Sequence, residues 1–451
     1  WNAGFIPTAV DNVIISDVAT SPVISIGTAV DCNDLTVESG ATLTINSGGS
    51  LITHGTITNL GTVNVEGSFS YELWHLIASP VENQTAEIFL GDYLQRYTEA
   101  TDTWTEIVDP ETVLTPGVGY ALWGTAKGTY TFTGTPNSGD ITTNYTYSPT
   151  GNPDHYGFNL MGNPYPSAID WDLLNETYGA VYHYDGSAYN SWNGTGAGSS
   201  IVEPGKGFMI APGSAGSLDL NNSHRIHPSV TKGSNVTDNA IVLSAGNDIY
   251  TDELHIVFNE EASADFDLPF DAWKILTTEE NVPQVYSIIG EKKLSIDQQP
   301  QCQQIPVGFQ CGKSGLYNIT LENTTYEGPV YLEDKKTGTI HDLRSGSYHF
   351  SYQDGEPGDR FVLHFEALGI DPVIKQSGVQ VYSTGSSIVV TASETTCINQ
   401  VLVHDIMGRQ MVEENLKSVN KAEIDLETTS GIYIVTVVTK TNKITKKVFI
   451  K

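Results

Sequence analysis

Residues 401–451 read VLVHDIMGRQMVEENLKSVNKAEIDLETTSGIYIVTVVTKTNKITKKVFIK. Apolar side chains recur at Val401 and Val403 and again at Ile432, Ile434, Val435 and Val437, with turn signals at Met407-Gly408, Ser430-Gly431 and Thr441-Asn442 between the runs. A period of two bounded by such breakers puts side chains alternately on a core and on solvent, the pattern of half-buried strands. The stretch therefore reads as a small β-sandwich that ends in an exposed basic strand. The rest of the chain has the same texture. Only 17% of its 451 residues are charged, Gly (43) and Tyr (22) are abundant, and helix-forming stretches are nearly absent. The whole is read as all-β, with a length that calls for three or four domains.

Three elements of the terminal stretch recur together in a known family. They are the turn Asp405-Ile406-Met407-Gly408-Arg409, the strand Gly431-Ile432-Tyr433-Ile434, and the ending Lys446-Lys447-Val448-Phe449-Ile450-Lys451. In this order at a C-terminus they resemble the type A sorting domain of type IX secretion cargo in Gram-negative bacteria. The resemblance implies an immunoglobulin-like sandwich over residues 374–451. It also implies passage through an outer-membrane translocon and recognition by a shuttle barrel, with removal by a sortase-like peptidase and anchoring to lipopolysaccharide as further steps of that system. One physical basis for recognition is strand addition by Lys443–Lys451, whose backbone can pair with a partner's edge. The modules ahead of it more loosely resemble the non-catalytic C-terminal regions of large secreted surface proteins.

Charge sets further bounds. The formal net charge is -31; the last 51 residues stand near +2, so the remainder is near -33. A strongly acidic body repels phosphate backbones, which argues against nucleic acid and against anionic membrane surfaces. Solubility outside the cell is the favoured meaning, with divalent cation binding second. Cys302 and Cys311 lie nine apart across Pro306-Val307-Gly308, a spacing suited to a hairpin-closing disulfide that would add roughly 2–3 kcal/mol in an oxidising compartment. Cys32 and Cys397 fall in separate expected domains and are read as unpaired. No run approaches the ~18 apolar residues of a membrane span. The opening Trp1-Asn2-Ala3-Gly4 carries no leader and reads as the middle of a pattern, so more chain is expected before it.

Four segments are expected. Residues 1–70 carry apolar pairs every six to eight residues (Leu35/Val37, Leu43/Ile45, Leu51, Ile57, Val63/Val65) punctuated by Gly40, Gly48-Gly49, Gly55 and Gly61, the signature of β-solenoid rungs. Residues 71–236 contain a duplication. Trp74 to Pro80, Leu94 to Tyr97, Trp104 and Pro116-Gly117-Val118-Gly119-Tyr120 are matched by Phe158 to Pro164, Tyr182 to Tyr184, Trp192 and Pro204-Gly205-Lys206-Gly207-Phe208. Short helices are expected at Ala86 to Leu90 and Ser167 to Tyr178, the second capped by Ser167 with Asp170 in its first turn. Residues 237–368 read as a second β-sandwich, with a linker around Pro372 leading to the sorting domain.

Searching these segments for chemistry yields little. The eleven histidines are scattered and none stands in His-Glu-x-x-His, so they read as surface or core residues rather than ligands. Gly308-Phe309-Gln310-Cys311-Gly312-Lys313-Ser314 imitates a phosphate loop. It has one residue too few between its glycines and runs into a strand rather than a helix. Asp265, Asp267 and Asp271 near Glu260 and Glu261 offer oxygen ligands for Ca²⁺, but the spacing is nonspecific and a solvated turn is favoured. Tyr182, Tyr184, Tyr189 and Trp192 would make a sugar-stacking platform, against which their repetition argues for packing. The expectation is a non-catalytic binding, adhesion or structural protein at the cell surface, with a glycan or other surface ligand as partner. The alternatives are the tail of an extracellular hydrolase whose catalytic domain lies upstream, and a carbohydrate-binding module centred on Trp192.

Overall fold

The computed structural model describes residues 6–125, 128–149, 157–228, 237–366, 379–384, 387–392, 397–405, 408–426, 431–440 and 443–450. The protein is all-β and divides into two compact units, residues 1–366 and 367–451. The first three expected segments therefore lie in one unit. Its start is a parallel solenoid with three faces. Val13–Ile15, Leu35–Val37 and Ile57–Asn59 stack on one face, Val23–Ile24, Thr42–Ile45 and Thr62–Ser68 on the second, and Ala29–Cys32 with Ser50–Thr53 on the third. Each circuit of the first face advances the chain by 22 residues, from Val13 to Leu35 to Ile57. Alternate residues point inward because a strand's side chains alternate, so Leu35, Val37, Leu43, Ile45, Val63 and Val65 form a dry interior. An open solenoid end would expose a pairing edge. Here Thr129–Thr133 covers Thr62–Ser68 in antiparallel fashion, and one core runs from Val13 to Phe132 without a break near residue 70.

The duplication is a duplication of topology. Trp74–Ile77, Tyr93–Thr98, Thr103–Glu106 and Tyr120–Trp123 form a sheet in the spatial order first, fourth, second, third. Asn159–Gly162, Val181–Tyr184, Tyr189–Trp192 and Gly207–Ile210 repeat that order. The copies clasp each other reciprocally. Ile77 bridges to Lys206 while its counterpart Met161 bridges to Val118, and the amides of Ala78 and Gly162 donate to the carbonyls of Gly205 (2.8 Å) and Gly117 (2.9 Å). Gly119 is required at this crossing, since a Cβ there would lie 2.4 Å from the Met161 carbonyl oxygen.

Local helix signals fared less well. Ala86–Phe89 is a 3₁₀ turn. The expected helix from Ser167 begins instead as strand Ala168–Asp170, held between Ile201–Val202 and Arg225–Ile226, and only Asn175–Tyr178 is α-helical. Ser167 caps nothing: its hydroxyl accepts from Arg225 Nε at 2.8 Å, and Asp170 does the capping through Asp172 N. Sheet pairing has overridden helical propensity.

Residues 240–364 build one sheet of eleven strands that curls until nearly closed, facing its halves across a single core as a sandwich does. Phe309 sits at the centre with Phe350 and Tyr352 edge-on to it, each at 5.0 Å. The gap between Tyr331–Asp334 and Tyr348–Tyr352 is closed by side chains. Arg360 grips Asp334 through Nε (2.9 Å) and Nη2 (2.6 Å) and donates to Ser351 O (2.7 Å), while the Tyr348 hydroxyl donates to Asp334 at 2.9 Å. The disulfide expected between Cys302 and Cys311 is absent. Pro306-Val307-Gly308 is the middle of strand Gln304–Gln310 rather than a turn, so the two free thiols stand at its opposite ends, roughly 30 Å apart at the usual rise per residue.

Among its described residues the second unit is a seven-stranded sandwich of immunoglobulin-like type. Val379–Thr384, Ser387–Ala392 and Lys421–Asp425 make one sheet; Gln410–Val419, Ile398–Asp405, Gly431–Thr439 and Lys443–Ile450 make the other. Val401, Val403, Val435, Val437, Ile444 and Val448 meet Val379, Ile388 and Val390 in its core.

Candidate functional site

The terminal sheet gathers residues that are far apart in the chain. Gly408 takes a backbone φ of +81°, a left-handed conformation that a side chain would strain, and its amide donates to Asp405 O at 3.0 Å. The Asp405 carboxylate accepts from the Arg409 amide at 2.9 Å and from Arg409 Nε at 2.7 Å. An Asp at the first position and a Gly before the Arg are thus what this turn needs. Asp405 then lies opposite Tyr433, and Tyr433 opposite Val448, in one row across three strands. Ile432 faces Phe449 in the next row on one side, with Gly431 and Ile450 one row further, and Ile434 faces Lys447 in the next row on the other, followed by Val435 with Lys446.

The row lies against the core, and the exposed cations flank it. Tyr433 and Val448 are buried, which fixes the register of the last strand, because a one-residue slip would turn Val448 out and Lys447 in. Lys447 is exposed, Lys446 half-buried, and Arg409 75% exposed. The Asp405–Arg409 ion pair at 2.7 Å is therefore a surface contact worth tenths of a kcal/mol, whereas its cationic head is available to a partner. Of the motif, Ile406, Met407 and Lys451 lie outside the described residues, and Ile450 is described in its backbone only.

Other sequence candidates are placed differently. Asp271 spends both carboxylate oxygens on backbone amides, Gln298 N at 2.8 Å and Asp267 N at 2.7 Å, and Asp267 in turn accepts from Ser263 N. Among the described residues no three His, Cys, Asp or Glu side chains converge to hold a metal ion. Burial pushes Asp271 up to about 7, with the nearby Asp297 and Asp267 charges adding to it. Tyr182 and Trp192 are core residues: the Tyr182 hydroxyl accepts from Trp273 N, and Trp192 Nε1 donates to Asp172. The strand register makes Tyr189, not Trp192, the counterpart of Trp104. The pairs Tyr97–Trp104 and Tyr184–Tyr189 have matching geometry, with centroids 5.0 and 4.9 Å apart at 49° and 46°.

Some groupings had no sequence signal. A cleft of about 480 Å³ between the two copies is lined by His75, His183, Glu203 and Lys206. His75 and His183 each use Nε2 on a carbonyl, Ser70 O at 2.9 Å and Ser199 O at 2.8 Å, and burial holds both below the ordinary histidine range. Lys206, lowered by burial as well, lies 4.6 Å above the Phe69 ring. His54 and His227 both contact Asp31, at 2.7 and 2.9 Å, although 173 residues separate them along the chain. Only folding brings such partners together.

Comparison with known proteins follows the same division into two units. Residues 48–180 and 172–365 match a family model described as a domain of unknown function (DUF8693), and residues 368–450 match another (DUF8694). The chain is similar to the minor fimbrium subunit Mfa5 of Porphyromonas gingivalis, at 25% identity over 380 residues that cover 72% of this chain and 30% of that protein. It therefore spans about a third of that relative's length. Among solved structures, the BSP domain of a biofilm associated protein aligns at 10% identity and a TM-score of 0.14, over 85% of this chain and 61% of that one. Dimeric latent PorU from Porphyromonas gingivalis aligns at 9% and 0.15, over 76% and 36%. Superpositions this loose carry no argument. The matches to one family model together run from residue 48 to residue 365, and the chain belongs to the DUF8693 family, whose function its description leaves open.

Proposed function

We propose that this chain is secreted, cell-surface cargo of the type IX system, with its second unit as the export signal and its first unit as a non-catalytic binding or structural body. The observation that carries this reading is the convergence of Asp405, Arg409, Tyr433, Val448 and Lys447 on neighbouring strands of one sheet. The three motif elements meet in one sheet, where buried Tyr433 and Val448 fix the register and the exposed Arg409 and Lys447 are left for a receptor to read. The partners would be the outer-membrane shuttle barrel and the translocon. The similarity to a fimbrial subunit supports a surface-assembled body over the tail of a hydrolase, and the net charge of -31 disfavours nucleic acid as its ligand. No cofactor is invoked, and the Asp265–Asp271 loop is left without a Ca²⁺ role because Asp267 and Asp271 accept from the backbone amides of Ser263, Asp267 and Gln298.

Deletion of Lys446–Lys451 tests the proposal in the full chain. It should leave the first unit folded and stop the protein short of the cell surface. Normal surface delivery of that deletion would refute it.

A further inference from the structure

One ion pair in the first unit differs from the rest. Lys274 Nζ lies 2.5 Å from Asp252 Oδ1 and 2.6 Å from Oδ2, with the two side chains only 3% and 6% exposed. Charge-assisted N–H···O contacts usually run about 2.7–2.9 Å. A nitrogen this close to both oxygens stands roughly 3 Å from the carbon between them, at the edge of the near-attack range for bond formation. The exposed pairs Lys335–Asp359 and Lys336–Glu356 each touch one oxygen, at 2.9 and 2.7 Å. The buried partner of Asp334 is an arginine, whose guanidinium is a poor nucleophile.

The surroundings suit chemistry on the carboxyl. Asp252 sits near the start of strand Thr251–Phe258, two residues from Leu254, and Lys274 directly follows Ala272–Trp273. Burial pushes the Asp252 carboxyl upward, against the pull of Lys274 and the backbone amides of Val285 and Glu253. The Val285 amide donates to Oδ2 at 2.7 Å, where it can hold negative charge that develops on that oxygen.

We propose that Asp252 and Lys274 condense to an intramolecular isopeptide bond. A proton passes from Nζ to the carboxylate, leaving a neutral amine and a neutral acid, the combination a dry interior favours. The amine lone pair attacks Cγ, and the electron pair of the carbonyl moves onto the oxygen held by Val285 N–H. The C–OH bond then breaks, and the hydroxyl leaves as water with a proton from nitrogen. One amide forms and one water departs; no oxidant, reductant or cofactor is consumed. The product ties the root of strand Thr251–Phe258 to Lys274 and closes the Asn259–Asp271 loop covalently, a brace suited to a protein held at a surface under tension or protease attack.

Intact mass spectrometry of the denatured full chain reads this directly. The expected mass is one water below that of the sequence, and a digest should contain a branched peptide carrying both Asp252 and Lys274. Lys274→Met and Asp252→Ala should each restore the full mass and abolish the branched peptide, a readout that holds even if either variant folds poorly. The full sequence mass in the unaltered protein, with the two residues in separate linear peptides, would overturn the proposal.

Discussion

Asp405 and Arg409 separate what a residue does for the fold from what it offers a partner. Arg409 is 75% exposed, so Arg409→Ala should change thermal stability by no more than ~0.5 kcal/mol while impairing export. Asp405→Ala should cost about 1–2 kcal/mol in denaturant unfolding of the second unit, because the turn's amide at Arg409 loses its acceptor. Asp271 makes a prediction with a definite sign. Its carboxyl is pushed up to about 7, against an unfolded value of about 3.9, so between those values the folded chain binds the proton and the unfolded chain does not. Its contribution therefore falls as pH rises from about 4 to about 7 and is level beyond, amounting to a few kcal/mol. Urea midpoints across that range should slope downward more steeply in the unaltered protein than in Asp271→Asn. Equal slopes would show that Asp271 does not titrate there. The slope decides the point, because Asn also misplaces an N–H against one of two backbone donors.

At the scale of elements, contact between the duplicated sheets is held by backbone approach, and closure of the eleven-stranded sheet by a buried network. Gly119→Ala should destabilise the first unit by about 2 kcal/mol or more, since the added carbon meets the Met161 carbonyl, whereas Gly128→Ala, which meets nothing, should stay within about 0.5 kcal/mol in thermal melts. Arg360→Met leaves Asp334 at 0% exposure without its cation, and a loss of about 3–5 kcal/mol is expected. Burial pushes Asp334 up, but the hydrogen bonds from Arg360 and Tyr348 outweigh it and hold the carboxyl down at about 2. The stability it adds is thus present above about pH 4 and drains away as pH falls through about 2.

The elements legible in the chain were those whose signal is local. Alternating Val401/Val403 and the recurring Pro-Gly at Pro116-Gly117 and Pro204-Gly205 announce strands and a repeat without outside help. The Ser167–Tyr178 segment misleads because its strand partner, Arg225–Ile226, lies more than fifty residues on. Pro306 misleads because a proline is tolerated in a strand where one side is unpaired: the pairing with Gln284–Ile289 ends at Val307, and Pro306 is paired with Val362 on the other side. The convergence of the terminal motif was hidden for a related reason: sequence gives the elements, and only the register of three strands puts them in one row.

For the whole molecule, the division at residues 366 and 367 coincides with the change of family model between 365 and 368. The second unit has its own core from Val379 to Val448, so residues 367–451 made alone should unfold in one cooperative transition. Under the proposed reading, the acidic bulk, near -33 outside the last 51 residues, would keep the body soluble outside the cell while the mildly basic last 51 residues would meet the export machinery. The most direct measurement joins residues 367–451 to a reporter delivered to the periplasm of a bacterium with a type IX translocon. The reporter should reach the surface or medium in that strain, remain periplasmic when the translocon is deleted, and remain periplasmic again with Arg409→Ala in a stably folded module. A reporter that stays in the periplasm of the competent strain, with the attached module folded, would contradict the export reading.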